Sequence, residues 1–151
     1  MKTIRGDIWS LLPSYAIVVT SNVGWSTSGA GILGKGLALQ AAQRFPKLAM
    51  WYGERCRETR AKTPVLVYPD GPIVMFPTKR LNEKMPWYSW RSASTIEYIE
   101  QGLGQLIQLP IHQPIAVPLL GCGAGGLTES EVVPMISRYL KDDRFTLVYP
   151  G

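Results

Sequence analysis

A chain of 151 residues, 46% hydrophobic and 18% charged, has the size and make-up of one globular domain and excludes a disordered tail. Its 16 basic residues outnumber 11 acidic ones, and a net charge of +5 favours an acidic ligand such as a nucleotide or nucleic acid. Only Cys56 and Cys122, without CxxC spacing, and a single histidine, His112, are present, which excludes a His-pair metal site and argues against a disulfide framework, a zinc site and a Ser-His-Asp triad.

The N-terminal MKTIRGDIW lacks the apolar run of a signal peptide, and no apolar stretch approaches the roughly 20 residues that span a bilayer. Thr3–Ile4 predicts a short opening strand that turns at Gly6-Asp7 before Ile8. Tyr15–Thr20 (YAIVVT) is a β-branched run of the kind buried on both faces of a sheet. From Gly34 to Phe45, Leu37, Ala38, Ala41, Ala42 and Phe45 recur at helical spacing, and Pro46 stops that helix. Leu48–Arg60 predicts a second helix with a charged face, then Pro64–Pro69 and Pro72–Phe76 read as two strands joined at the turn dipeptide Asp70-Gly71. Ser94-Thr-Ile-Glu97 has a capping-box pattern ahead of Ile96, Ile99, Leu103, Leu106 and Ile107 on one helical face. Ile115–Leu120 predicts the next strand, Thr128-Glu-Ser-Glu131 another capping box before a helix ending near Leu140, and Phe145–Tyr149 a closing strand. Strands alternating with helices indicate a mainly parallel sheet covered on both faces, whose ligands bind at the carboxyl ends of strands.

Two glycine-rich segments follow predicted strands. Four glycines lie between Gly29 and Gly36, immediately before a helix, where glycine permits close backbone approach and a helix N-terminus presents unpaired N–H groups to an anion. The segment is not a Walker A loop, because Lys35 is followed by Gly36 where Ser or Thr is required. Gly29, Gly31 and Gly34 match GxGxxG, but an insertion separates them from the strand. Gly121–Gly126 (GCGAGG) is the second segment, and two such loops after two parallel strands suit one diphosphate.

The ordered set GDI (Gly6–Ile8), a buried strand leading to Asn22, GAGILGKGLALQ (Gly29–Gln40), FPTK (Phe76–Lys79) and PLLGCGAGGL (Pro118–Leu127) resembles the macro domain family over nearly the whole chain. It looks closest to the branch holding terminal ADP-ribose protein glycohydrolase and the DNA ADP-ribosyl glycohydrolase antitoxins, and is similar to short macro domains called ADP-ribose-1″-phosphatases. The resemblance implies one macro domain over residues 1–151, a three-layer α/β/α sandwich with a mixed, mostly parallel sheet. It implies that Asp7 accepts from the adenine amino group and Ile8 offers its backbone N–H to the base. Asn22 would lie near the distal ribose, with Gly31, Ile32, Leu33 and Gly34 beneath the diphosphate and ribose. Gly121, Cys122, Gly123, Ala124, Gly125 and Gly126 would close over the other side.

From the FPTK segment the resemblance adds Thr78 to the ligand contacts and makes Lys79 catalytic, together with Asn22. In the similar glycohydrolases this lysine acts at the anomeric carbon of the distal ribose, which requires a deprotonated fraction produced by burial or a neighbouring cation such as Arg80. A plain cationic clamp is the alternative. The protein-directed relative uses an aspartate in its second loop where Gly125 stands here, a departure shared with the DNA-directed antitoxins. Glu129 and Glu131 are assigned to capping or solvating the following helix. Met85–Trp90, flanked by Lys84 and Arg91, mixes aromatics with cations and either contacts substrate or packs under the domain.

The expected function is removal of ADP-ribose from a nucleic-acid base or similar acceptor. Hydrolysis of ADP-ribose-1″-phosphate and non-catalytic reading of ADP-ribose are the alternatives. The expected partners are ADP-ribose or an ADP-ribosylated substrate, nucleic acid among them, with no metal, cofactor or membrane, for a monomer in the cytoplasm.

Overall fold

The computed structural model describes all residues, Met1–Gly151. A six-stranded sheet forms from β1 (Lys2–Arg5), β2 (Ala16–Asn22), β3 (Leu66–Val67), β4 (Ile73–Lys79), β5 (Ile115–Val117) and β6 (Phe145–Tyr149), in the order β1-β6-β5-β2-β4-β3. All pairs are parallel except β3 with β4. The helices are α1 (Gly36–Arg44), α2 (Leu48–Thr59), α3 (Ile96–Leu106) and α4 (Glu129–Tyr139). None is long and apolar enough to cross a membrane.

Strand alternation builds two cores, as successive side chains point to opposite faces. Ala16, Val18, Val74, Phe76, Ile115 and Val117 meet α3 and α4 through Ile99, Leu103, Val132 and Ile136. Ile17, Val19, Ile73, Met75 and Ala116 meet α1 and α2 through Ala38, Ala41, Leu48 and Tyr52. The result is the expected three-layer sandwich, and the apolar run at Ala16–Val19 is buried on both faces.

Prolines move several boundaries. Pro64 and Pro69 cannot donate to a ladder, so the strand expected there shrinks to Leu66–Val67 at the sheet edge. Pro118 ends β5 three residues before the expected Leu120. By contrast β4 runs past the expected Phe76, through Pro77, to Lys79. The cost is a slip in pairing: Ser21 faces Pro77, then Asn22 faces Lys79, and Thr78 is skipped.

Caps follow the same local chemistry. Thr128 and Glu131 form the expected capping box on α4. On α3 the cap is Thr95, whose hydroxyl accepts from Tyr98 N–H at 3.2 Å, one residue later than the pattern indicated. Ser94 is instead buried, and its backbone N–H donates to Gly125 O at 3.0 Å. Ile107 falls just beyond α3 and is exposed, while Tyr98 and Gly102 complete the buried face.

Connections decide where a ligand fits. β2 leaves toward α1 and α2, whereas β4 and β5 on either side of it leave toward α3 and α4. Loops that diverge to opposite faces open a crevice at the carboxyl ends of the strands. The first glycine segment is pressed against α2: Gly31 N–H donates to Ala49 O at 2.7 Å, and a side-chain carbon on Gly53 would strike the backbone of Gly29, Ala30 and Gly31. Gly53→Ala is therefore expected to destabilise the fold by about 1–3 kcal/mol through overpacking. Urea unfolding should show a lower midpoint with an unchanged slope.

Candidate functional site

A cleft of about 930 Å³ opens at the carboxyl ends of β2, β4 and β5. Thr20, Ser21 and Asn22 from β2 and Thr78 and Lys79 from β4 form its base. Ile32, Gly34 and Lys35 wall one side with Gly36, Leu37 and Ala38 of α1; Gly121, Cys122, Ala124 and Gly125 wall the other. Trp90 and Arg91 complete the lining. No side chain caps α1, so its first turn presents backbone to the cleft, and N–H groups in such a turn suit an anion.

Asn22 joins the base to the first wall. Its Nδ2 donates to Ile32 O at 3.0 Å, and its Oδ1 accepts from Gly24 N–H at 2.9 Å. Both strand ends are further tied by Val23 N–H donating to Lys79 O at 3.3 Å and Thr78 Oγ1 donating to Ser21 O at 3.3 Å. In the second wall, Gly121 has φ +74°, and a side chain there would run into Ile99 and Leu127. Glycine at this position is a packing requirement as well as a conformational one.

Opposite Asn22 in the register stands Lys79, half-buried, whose Nζ donates to Trp90 O at 2.7 Å. Burial first, and then the Lys35 ammonium, hold its pKa below the ordinary lysine value. Lys35, rather than Arg80, is the cation that acts on it. Arg80 turns away, its guanidinium 4.4 Å from the centre of the Tyr98 ring. Lys35, Lys79 and Arg91 face the cleft, and none of the 17 lining residues is acidic or a histidine. Such a surface favours a polyanion.

The cysteines are protonated bystanders: burial pushes the Cys56 thiol up to about 12, and burial together with Glu129 and Glu131 raises Cys122. Glu131 is occupied by the Thr128 backbone and hydroxyl at 3.0 and 2.9 Å, which lowers its pKa. His112 is exposed in the loop entering β5, at the far end of the sheet.

Of the residues singled out by sequence, Asn22, Ile32, Gly34, Thr78, Lys79, Gly121, Cys122, Ala124 and Gly125 come together in the cleft. Gly31 and Leu33 do not line it, because they are buried against α2 and in the core behind the wall. Gly123 and Gly126, with φ +69° and +86°, shape the second loop from outside the lining. Asp7 caps the short 3₁₀ turn Ile8–Leu11, its carboxylate accepting from Trp9 N–H at 3.0 Å, and Ile8 is buried in that turn. Asp7 belongs to a separate groove with Trp9, Gln40, Gln43 and Arg44. Lys35 is a cleft residue to which the sequence reading gives no ligand role, and Arg91 enters there only as a flank of the Met85–Trp90 segment. The only signal for either was a cation adjoining a glycine or aromatic run.

No family model matches the chain. The macrodomain of Thermus aquaticus DarG is 32% identical, with a TM-score of 0.77 over 99% of this chain and 97% of that one. A structure of Thermosipho africanus DarTG in complex with ADP-ribose is 26% identical, with a TM-score of 0.75 over 99% of this chain and 42% of that one. A curated relative, the DNA ADP-ribosyl glycohydrolase of Thermus aquaticus, is 32% identical across 93% of this chain. The chain spans between 30% and 38% of the length of the curated relatives it matches.

The Asn22 contacts are directly testable. Asn22→Ala leaves Gly24 N–H and Ile32 O without their partner and is expected to cost about 1–3 kcal/mol. Hydrogen exchange at the Gly24 amide should accelerate in step with the loss of stability measured by denaturant.

Proposed function

Because the chain belongs to the macro domain family, we propose that its cleft binds ADP-ribose and that the protein removes ADP-ribose from a modified nucleic-acid base. The observation that carries this reading is Lys79, set opposite Asn22 at the base of a cationic cleft between two glycine-rich walls. The diphosphate would lie between α1 and the second glycine loop, and the distal ribose would lie over Asn22 and Lys79. Relatives of the chain support this reading: one is named a DNA ADP-ribosyl glycohydrolase, and another was solved in complex with ADP-ribose. Asp7 and Ile8, outside the cleft, would serve the adenine end.

In this reading the neutral amine of Lys79 bonds to the anomeric carbon while the base–ribose bond breaks. The bond electrons leave with the base, which takes up the proton shed by the lysine. Water then cleaves the lysyl–sugar bond and releases ADP-ribose. No lining carboxylate or imidazole stands ready to assist. Asn22 acts by orienting the ribose while holding the first wall in place. That same absence of acids supports a second reading, a reader that binds ADP-ribose without turnover. It weighs against a phosphatase, which needs a group to activate water.

Three substrates separate these readings: ADP-ribosylated DNA, ADP-ribosylated protein and ADP-ribose-1″-phosphate, each followed for release of ADP-ribose or phosphate. Lys79→Ala is expected to abolish release from DNA while calorimetry still shows ADP-ribose binding; undiminished release would sink the lysine mechanism. Tight binding with no turnover of any substrate would select the reader.

The pH profile supplies a second check. The reactive form is the neutral amine, so activity should climb with pH toward a midpoint below the ordinary lysine value. Lys35→Gln removes the charge that adds to burial in lowering Lys79, so the rising limb should move to higher pH. An unmoved limb would assign it to another group.

A further inference from the structure

Beside the cleft, Pro86–Arg91 forms a 3₁₀ helix whose sequence is PWYSWR. Side chains three residues apart are eclipsed in such a helix, so it has three edges. Pro86 and Ser89 make the buried edge. Tyr88 and Arg91 make the second, with the guanidinium 4.1 Å from the ring centre. Trp87 and Trp90 make the third, and they are 42% and 46% exposed.

This edge is held rigidly. Gly24 lies so close beneath Pro86 O and Ser89 that no side chain would fit. Ser89 Oγ accepts from Asn82 N–H at 2.9 Å, Asn82 Oδ1 accepts from Met85 N–H at 3.1 Å, and Ser92 Oγ donates to Arg80 O at 3.0 Å. Lys79 Nζ holds Trp90 O from the cleft side. Two indoles are thus kept in water by backbone constraints, next to the lysine at the base of the cleft.

The charges around this edge favour one class of occupant. In the segment around it Lys79, Lys84 and Arg91 accompany a single acid, Glu83, while Arg80 lies over Tyr98. Arg91 also lies 4.9 Å from the centre of the Trp90 ring, a cation beside the exposed indole that suits a phosphate. One turn of this helix advances about 6 Å, close to two nucleotide steps of about 3.4 Å each.

We propose that the Trp87–Trp90 edge is a stacking platform for the bases flanking the modified nucleotide, so that the substrate is a single strand longer than the nucleotide in the cleft. The proposal rests on the glycohydrolase reading, since it places the rest of the strand outside the cleft that takes the ADP-ribose. Stacking on exposed aromatics tolerates any base, and the neighbouring cations take the backbone. The platform would therefore select for strand length and single-strandedness rather than for sequence.

The test uses fluorescein-labelled oligothymidylate, read by anisotropy and by quenching of tryptophan emission, with ADP-ribose binding followed in parallel by calorimetry. Trp87 is outside the cleft lining, and its exposure makes substitution safe for folding. Trp87→Ala should weaken oligothymidylate binding about tenfold, the scale of one base–aromatic stack, and Trp87→Phe should keep most of the affinity. Neither should change ADP-ribose binding. Undiminished oligothymidylate binding by Trp87→Ala, or binding without quenching, would overturn the platform. Sedimentation showing that the wild type self-associates and Trp87→Ala does not would overturn it in favour of a second copy of the chain. Failure of the wild type to bind ADP-ribose, with oligothymidylate binding still dependent on Trp87, would remove the reading of the cleft and leave the platform standing.

Discussion

The side-chain amide of Asn22 is the joint on which the cleft depends. One of its donors is engaged by Ile32 O and its oxygen accepts from Gly24 N–H, so the end of the central strand, the first glycine segment and the turn under Pro86 are held by one residue. Buried polar groups are costly when unpaired and confer uniqueness when satisfied, and here both functions fall on the same atoms. The slip in pairing beside it sets Lys79 across from Asn22. A regular ladder would have put Thr78 there. One irregularity therefore brings together the only lysine on β4 and the only asparagine on β2.

Around that joint the cleft is cationic without being crowded. Lys35 comes from the entry to α1, Lys79 from β4 and Arg91 from the 3₁₀ turn, three elements that approach from different directions. Lys79 is half-buried, and burial together with the Lys35 charge lowers its pKa. A ligand carrying two phosphates would relieve that repulsion, and the shift in Lys79 would then depend on what is bound. In the proposed reaction, binding and reactivity would be coupled through the same ammonium group.

How far the sequence was readable depended on whether a signal was local. The Thr128–Glu131 cap and the buried run at Ala16–Val19 are written in neighbouring residues and periodicity, and the structure has both. Strand–helix alternation indicates the parallel sheet covered on both faces, the family resemblance implies the three-layer sandwich, and the two glycine walls are legible as clusters that follow strands. Pro77 hid the end of β4, because proline ordinarily ends a central strand, and only pairing across to β2 shows that the strand continues with a slipped register. Lys35 was legible as a failed Walker lysine but not as the neighbour of Lys79, a residue 44 positions away in the numbering. The GDI motif implies a ligand role for Asp7, but not that its carboxylate also caps its own turn and opens onto a groove separate from the cleft. That distinction turns on where a side chain points, which a motif does not record.

The prolines that cut β3 to two residues also determine how the sheet behaves toward other chains. An unpaired strand edge is a template for edge-to-edge association, and its danger grows with the length of free backbone it offers. Here Pro64 and Pro69 bracket Leu66–Val67, so the edge holds almost no run of donors for an incoming strand to read. At the opposite margin β1 is exposed throughout and carries Lys2 and Arg5, the latter bound to Pro150 O and laid over Tyr149. One margin is guarded by missing hydrogen-bond donors and the other by charge. Fibrillar growth through this sheet is thus discouraged at both ends by different means, neither of which draws on residues of the cleft.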